Sequence, residues 1–469
     1  MIDAYKTFLI GKTQYSGEDG FKPLFIPDCM MDFQKELLDW NVRKGRSATF
    51  ADCGLGKTLL ELAWCQNVAM QTNKPVLLLV PLAVAPQTVR EGVKFGIECI
   101  ISRDGKFQDT AKIVVTNYEK LHLFDWKDFS GCCCDESSIL KNFDGERKTE
   151  VTIFMRKLPY RLLGTATAAP NDWPELGTSS EALGYLGYMD MLGKFFKNNQ
   201  STSKPMSFRN KGRNHEQARD GAKWRLKGHA ELPFWKWVCG WAKAVRRPSD
   251  MGYEDGKFIL PPLIENLHIV NTTQKAEGYL ITLPAVGLKE QRQERRLSIN
   301  ERCATMAELT SHKEQVLVSC HLNPEGDLLE KMIDGAVQIS GSDCDELKEE
   351  RLEAFISGQA RVLVSKDQII GFGLNLQHCH RLATFPSHSL ERHYQFKRRC
   401  WRFGQTQPVV MDMVASEGEL NVLKNLQRKE RNMSVMFDRL IAQMHNAEKL
   451  DVIDGMKQKE KIPSWLKIK

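Results

Sequence analysis

The sequence predicts an α/β protein: two parallel-sheet domains with a basic, mainly helical insertion between them. Three observations lead there. Short apolar runs alternate with amphipathic stretches along the 469 residues, and the pattern occurs twice. A glycine-rich turn, ADCGLGKT (51–58), follows the first apolar run and opens a helix. Between the two halves, residues 194–247 carry 14 Lys and Arg against 3 Asp and Glu.

The expected strands of the first half are SATFA (47–51), VLLLV (76–80), KIVVT (112–116), GCCCD (131–135) and YRLLG (160–164). Those of the second are QVLVS (315–319), AVQIS (336–340), RVLVS (361–365), RLATF (381–385) and VVMDM (409–413). Runs that are apolar at successive positions suit strands covered by helices on both sides. GYEDGKFILPPL (252–263), rich in Gly and Pro, leads into the second half. A long helix is expected at about 417–446, followed by a basic, loose tail. The expected divisions are 1–190, an insertion at 191–255, 256–446 and a tail at 447–469.

Composition sets limits. At 42% hydrophobic and 27% charged, the chain is globular, and it is too long for one core. No apolar run reaches the roughly 18 residues that a membrane helix needs. The N-terminus MIDAYKTFLIGKTQ has no export signal, so a cytoplasmic protein without membrane contact is expected. Thirteen cysteines, with no C-x-x-C pair and three in a row at Cys132–Cys134, point to reduced thiols. Cys379 stands between His378 and His380, but no second cluster lies near it in sequence, so a metal site is not expected there.

The net charge is +7, of which residues 194–247 contribute +11 and the remainder −4. The same segment holds eight aromatics, including Trp224, Trp235, Trp237 and Trp241. Two readings stay open. The segment could bind a nucleic-acid strand, with aromatics stacking on bases. It could equally be a helical insertion with tryptophans in a small core and lysines outside. On the first reading Lys204, Arg209, Lys211, Arg213 and Lys223 contact duplex DNA phosphates.

The turn at 51–58 has the chemistry of a phosphate-binding loop. Gly54 and Gly56 let the backbone fold tightly with its N–H groups inward, and the helix start adds positive dipole. Lys57 would reach the β- and γ-phosphates of a nucleotide, and Thr58 offers a hydroxyl to Mg²⁺. Ala51 stands where the strict pattern has Gly. CCCDESS is the matching piece, 78 residues beyond Lys57. Small Cys132–Cys134 suit a central strand, and Asp135 and Glu136 emerge at its C-terminal edge, where open α/β sheets bind ligands. Asp135 could hold Mg²⁺, and Glu136 could orient or deprotonate an attacking water.

These motifs resemble superfamily 2 helicases, and within them a Swi/Snf-type DNA translocase of the small kind encoded by bacteriophages. The resemblance runs from about residue 30 to 430. It implies two RecA-like domains of the P-loop NTPase class, with ATP and Mg²⁺ bound between them. MDFQKELLDW resembles the Q motif, so Gln34 would read adenine. VPLAVAPQT (80–88) and TNYEKL (116–121) resemble motifs Ia and Ib, which implies strand contact at Thr116 and Asn117. GTATAAPND (164–172) resembles motif III, with Thr165 and Thr167 linking nucleotide state to strand contact. GFGLNLQ (371–377) resembles motif V and puts Gly373 at the nucleotide.

QFKRRCWRFGQ (395–405) matches motif VI at Gln395, Arg399, Arg402, Gly404 and Gln405. The resemblance makes Arg399 and Arg402 arginine fingers and puts Gln395 at the ATP site. Lys397 and Arg398 have no role in the pattern and are expected to be solvated or strand-facing. The chain departs from the family at Phe385-Pro386, where an Asp is usual, and in the Thr-Ala-Thr of motif III. The implied activity is nucleic-acid-stimulated ATP hydrolysis that moves the protein along duplex or branched DNA. RNA is a weaker alternative, as is a poorly hydrolysing DNA clamp or scaffold. Replication or recombination proteins are candidate partners, a monomer suffices, and the host cytoplasm would be the location of a phage-encoded protein.

Overall fold

The computed structural model describes residues 19–82, 84–108, 110–198, 224–271, 288–370 and 375–453. In the first lobe the strands are β1 (Arg46–Ala51), β2 (Val76–Val80), β3 (Ile100–Ile101), β4 (Ile113–Asn117), β5 (Gly131–Cys134) and β6 (Tyr160–Gly164). A short antiparallel pair follows, β7 (Phe196–Asn198) with β8 (Trp224–Leu226), and then β9 (Ala242–Val245). The main sheet runs β3-β4-β2-β5-β6-β1-β9, all parallel. Alternate residues of each strand face opposite sides. Phe50, Leu77, Leu79, Cys132 and Cys134 pack in one cluster. Ala51, Leu78, Val80 and Cys133 pack in another. Both faces are covered, which explains the uninterrupted apolar runs.

The second lobe contains β10 (Leu263–Val270), β11 (Val316–Cys320), β12 (Ala336–Ile339), β13 (Val362–Lys366), β14 (Arg381–Thr384) and β15 (Val409–Ser416). They form a second parallel sheet in the order β10-β15-β14-β11-β13-β12. Parallel sheets of seven and six strands with covering helices are the two RecA-like domains that were expected. Each of the ten expected strands is present within a residue or two at its start. The register of β15 continues three residues further than expected, to Ser416.

Two elements escaped the pattern. β10 was not among the expected strands: only its first residue, Leu263, falls in the Gly- and Pro-rich segment 252–263, its adjacent polar residues Glu265 and Asn266 break the apolar run, and it lies at the sheet edge. β9 lies inside the stretch expected as an insertion. It pairs with β1, Ala48 opposite Ala242 and Ala51 opposite Val245, so part of residues 191–255 belongs to the first lobe's sheet. The described part of that stretch also contains the β7–β8 pair as well as the helix Glu231–Cys239.

The tryptophan question is answered by burial. Trp235, Trp237 and Trp241 are 1%, 6% and 1% exposed. None offers a face to a base. They share the first lobe's core with Met436, Phe437 and Leu440 of the long helix Leu420–Ile453, which comes back from the second lobe. Arg246 meets Asp438 at 2.6 Å, and the Trp173 indole N–H donates to the Asn432 carbonyl at 3.3 Å. This helix continues through residues expected to begin a loose tail. Among the described residues no helix is long and apolar enough to cross a membrane.

Candidate nucleotide-binding cleft

The turn from β1 into the helix Lys57–Thr72 has the tight backbone that its glycines suggest. Gly54 and Gly56 have φ of 90° and 81°, in the left-handed region that costs other residues strain. A Cβ on Gly56 would stand 2.4 Å from the Gln34 amide nitrogen. The helix therefore starts at Lys57, and its first N–H groups, which no helix satisfies internally, belong to the loop. Lys57 Nζ donates to the carbonyl of Ala51 at 2.9 Å. Burial alone would lower this ammonium, but Cys53, Glu136, Asp135 and Asp52 around it outweigh that and hold it above its usual value.

At the end of β5 the chain turns sharply. Glu136 has φ 52° and ψ 53°, a left-handed conformation unusual for a residue with a side chain. That turn brings Asp135 and Glu136 into the cleft with Lys57 and Thr58. The Tyr118 hydroxyl donates to the Asp135 carbonyl at 2.5 Å, and the Thr165 hydroxyl donates to Glu136 Oε2 at 3.2 Å. Thr165 in turn accepts the N–H of Thr167 at 3.0 Å. Burial, then the neighbouring Glu136, push Asp135 up to about 7 against the pull of Lys57. Burial raises Glu136 as well, again opposed by Lys57. Two adjacent carboxylates and a hydroxyl around one ammonium form a donor set that suits a divalent cation with nucleotide phosphates.

The second lobe closes the far wall. Asn375, Arg398, Arg399 and Arg402 line the same cleft, which has a volume of about 250 Å³. Five basic side chains line it against three acidic ones, the balance that a polyanion would select. Burial, then Arg402 against Cys53 and Glu136, lowers the Arg399 guanidinium to about 10.

Other expected site residues lie elsewhere. Gln34 is brought to the loop, but its amide donates to the Leu55 carbonyl at 2.9 Å and accepts the Met31 N–H at 2.9 Å. Gln395 is 2% exposed, outside the cleft lining, with an amide nitrogen that has no hydrogen-bond partner among the described residues. Thr116 and Asn117 are 1% and 6% exposed, because β4 is an interior strand between β2 and β3. Neither offers a side chain to a strand in this arrangement. Gly373, Lys204, Arg209, Lys211, Arg213 and Lys223 lie outside the described residues.

Lys397 and Arg398 correct the expectation of solvated or strand-facing side chains, since both are buried. Lys397 is buried and pairs with Glu265 at 3.1 Å and Glu430 at 3.3 Å. Arg398 pairs with Asp52 at the start of the glycine turn, and its guanidinium lies 4.4 Å from the Trp401 ring centroid. Asp52, Tyr394 and Glu391 were not singled out by motif reasoning. The helical spacing of 391, 394 and 398 was the available signal.

Fold and cleft together define a two-lobed α/β protein with a glycine turn and Lys57 on one lobe and an arginine wall on the other. No protein-family model and no curated protein matches the chain. Solved structures do. One is the Sulfolobus solfataricus SWI2/SNF2 ATPase core in complex with dsDNA, 16% identical over 89% of this chain and 96% of that one, with a TM-score of 0.41.

Proposed function

We propose that this chain is an ATP-dependent DNA translocase that hydrolyses ATP between its two lobes and moves along duplex or branched DNA. The observation that carries the reading is the shared cleft, with Lys57, Thr58, Asp135 and Glu136 on one wall and Arg399 and Arg402 on the other. The amides of the 54–58 turn would cradle the phosphates, and Lys57 would exchange the Ala51 carbonyl for a phosphate oxygen. Mg²⁺, held by Thr58 and Asp135, would neutralise charge on the phosphate oxygens. Glu136, oriented by Thr165, would position the attacking water and take its proton; its raised pKa favours that acceptance. Arg399 and Arg402 would neutralise charge that develops as the terminal phosphoryl group leaves. Loss of that group would remove the anion holding the lobes together, and they would part. The DNA assignment rests on the motif resemblance and on the basic segment 194–247.

The test is phosphate release from ATP by purified protein, alone and with single-stranded, duplex or forked DNA, or RNA. Duplex or forked DNA is expected to stimulate release, and Lys57→Ala and Glu136→Gln to abolish it. Stimulation by RNA alone would make the chain an RNA helicase. ATP-dependent DNA retention without turnover would make it a clamp. Full turnover in Glu136→Gln would remove that residue from the mechanism.

A further inference from the structure

The helix Leu390–Cys400 carries Arg399 and leads directly to Arg402, and it touches the first lobe along one stripe. Glu391, Tyr394 and Arg398 recur three and four residues apart, so they share a face. At one end Glu391 accepts from the Ser138 hydroxyl at 2.5 Å and pairs with Lys141. Both partners lie in the turn Ser137–Lys141, immediately after Glu136. At the other end Arg398 and the Tyr394 hydroxyl donate to the carboxylate of Asp52, which also accepts the Cys53 N–H at 2.6 Å. Asp52 and Arg398 side chains are 7% and 9% exposed.

The polarity of the two contacts is opposite. The second lobe supplies the acid at one end and the base at the other. Turning the helix end for end would set Glu391 against Asp52 and Arg398 against Lys141, so only one orientation satisfies both pairs. Both anchors sit on the first lobe's own nucleotide apparatus: one follows the Asp-Glu pair, the other begins the phosphate loop. Burial adds to the constraint, since separating Asp52 from Arg398 leaves an uncompensated charge.

We propose that Glu391, Tyr394 and Arg398, with Lys141, Ser138 and Asp52, form a two-point clasp that positions Arg399 and Arg402 over the cleft. These are positioning residues. They hold the finger helix in one register against the residues that bind phosphate and activate water. This inference rests on the reading of the cleft as an ATP site, and it adds residues that the motif pattern does not assign. A misplacement of about 1 Å at a reacting centre can cost roughly 100-fold in rate, so a loosened clasp acts on turnover more than on binding.

The experiment uses the full chain with Lys141→Glu, Glu391→Lys, the two combined, and Asp52→Asn. Each is measured for kcat and KM with ATP and duplex DNA, for binding of a fluorescent ATP analogue, and for solution scattering without nucleotide. Either single reversal places like charges together and is expected to lower kcat by ~10-fold to ~100-fold, with analogue affinity within about threefold. The combined reversal is expected to recover most of the lost kcat, and Asp52→Asn to lower it. Single reversals that keep wild-type kcat, or a combined variant no better than either single one, would overturn the clasp. If the wild-type protein hydrolyses no ATP, the proposed function fails, and scattering alone decides the clasp. Singles should then widen the profile and the combination restore it; unchanged profiles would overturn it.

Discussion

His393 lies on the helix Leu390–Cys400, and its burial makes the stability of the fold depend on pH. The side chain is 3% exposed, with Nε2 at 3.8 Å from Glu430 and Nδ1 without a hydrogen-bond partner among the described residues. Burial first, then the nearby positive groups Lys397 and His321, hold its pKa at about 3 instead of 6.5. The folded protein therefore keeps this imidazole neutral where the unfolded chain would protonate it. A depressed folded-state pKa gives a contribution that is full above the unfolded value and is lost progressively as pH falls from 6.5 toward 3. Between about pH 7 and pH 5 the loss is about 2 kcal/mol, from 1.36 kcal/mol per pKa unit of unequal proton uptake. His393→Gln removes the titrating group and keeps a neutral polar side chain. Urea unfolding followed by circular dichroism at the two pH values is the assay. The wild type is expected to lose about 2 kcal/mol more than the variant on acidification. Equal losses in both proteins would show that the buried imidazole is not the source and would refute the reasoning.

Arg399→Ala is expected to lower kcat by ~10³-fold to ~10⁵-fold while binding of a fluorescent ATP analogue persists, which single-turnover kinetics and equilibrium titration would separate. Gly56→Ala puts a Cβ 2.4 Å from the Gln34 amide in a residue with φ 81°. The loop must shift to relieve about 1–2 kcal/mol, so analogue affinity should fall ~5-fold to ~30-fold in the same titration. Glu325→Ala takes from Arg302 its nearer carboxylate, at 2.8 Å with both side chains 0% exposed, and leaves only Glu419 at 3.9 Å. A cost of about 3–5 kcal/mol is expected in chemical denaturation of the second lobe.

How much of this was legible beforehand varies with the range of the interaction. The strand over Val76–Val80 was readable because a doubly covered strand needs apolar residues at every position. The loop at Gly54 and Gly56 was readable because positive φ leaves few residue choices. β10 was not, because an edge strand tolerates polar residues, here Glu265 paired with Lys397 and Asn266 bonded to Asp412. The tryptophans were ambiguous because an aromatic beside a lysine suits a core as well as a base, and only burial separates the two.

By itself the sequence determined two α/β halves, the glycine turn before Lys57, the Asp-Glu pair and the spacing of Arg399 and Arg402, all properties of residues close together in the chain. The tertiary structure decided which side chains meet across it: that Arg398 finds Asp52 from 346 residues away, that Thr116 and Asn117 face inward, and that the terminal helix returns to cover Trp235. Local backbone geometry and burial periodicity are written in short segments. The pairing of distant charges depends on how two lobes are brought together by many contacts at once, and no short segment contains that information.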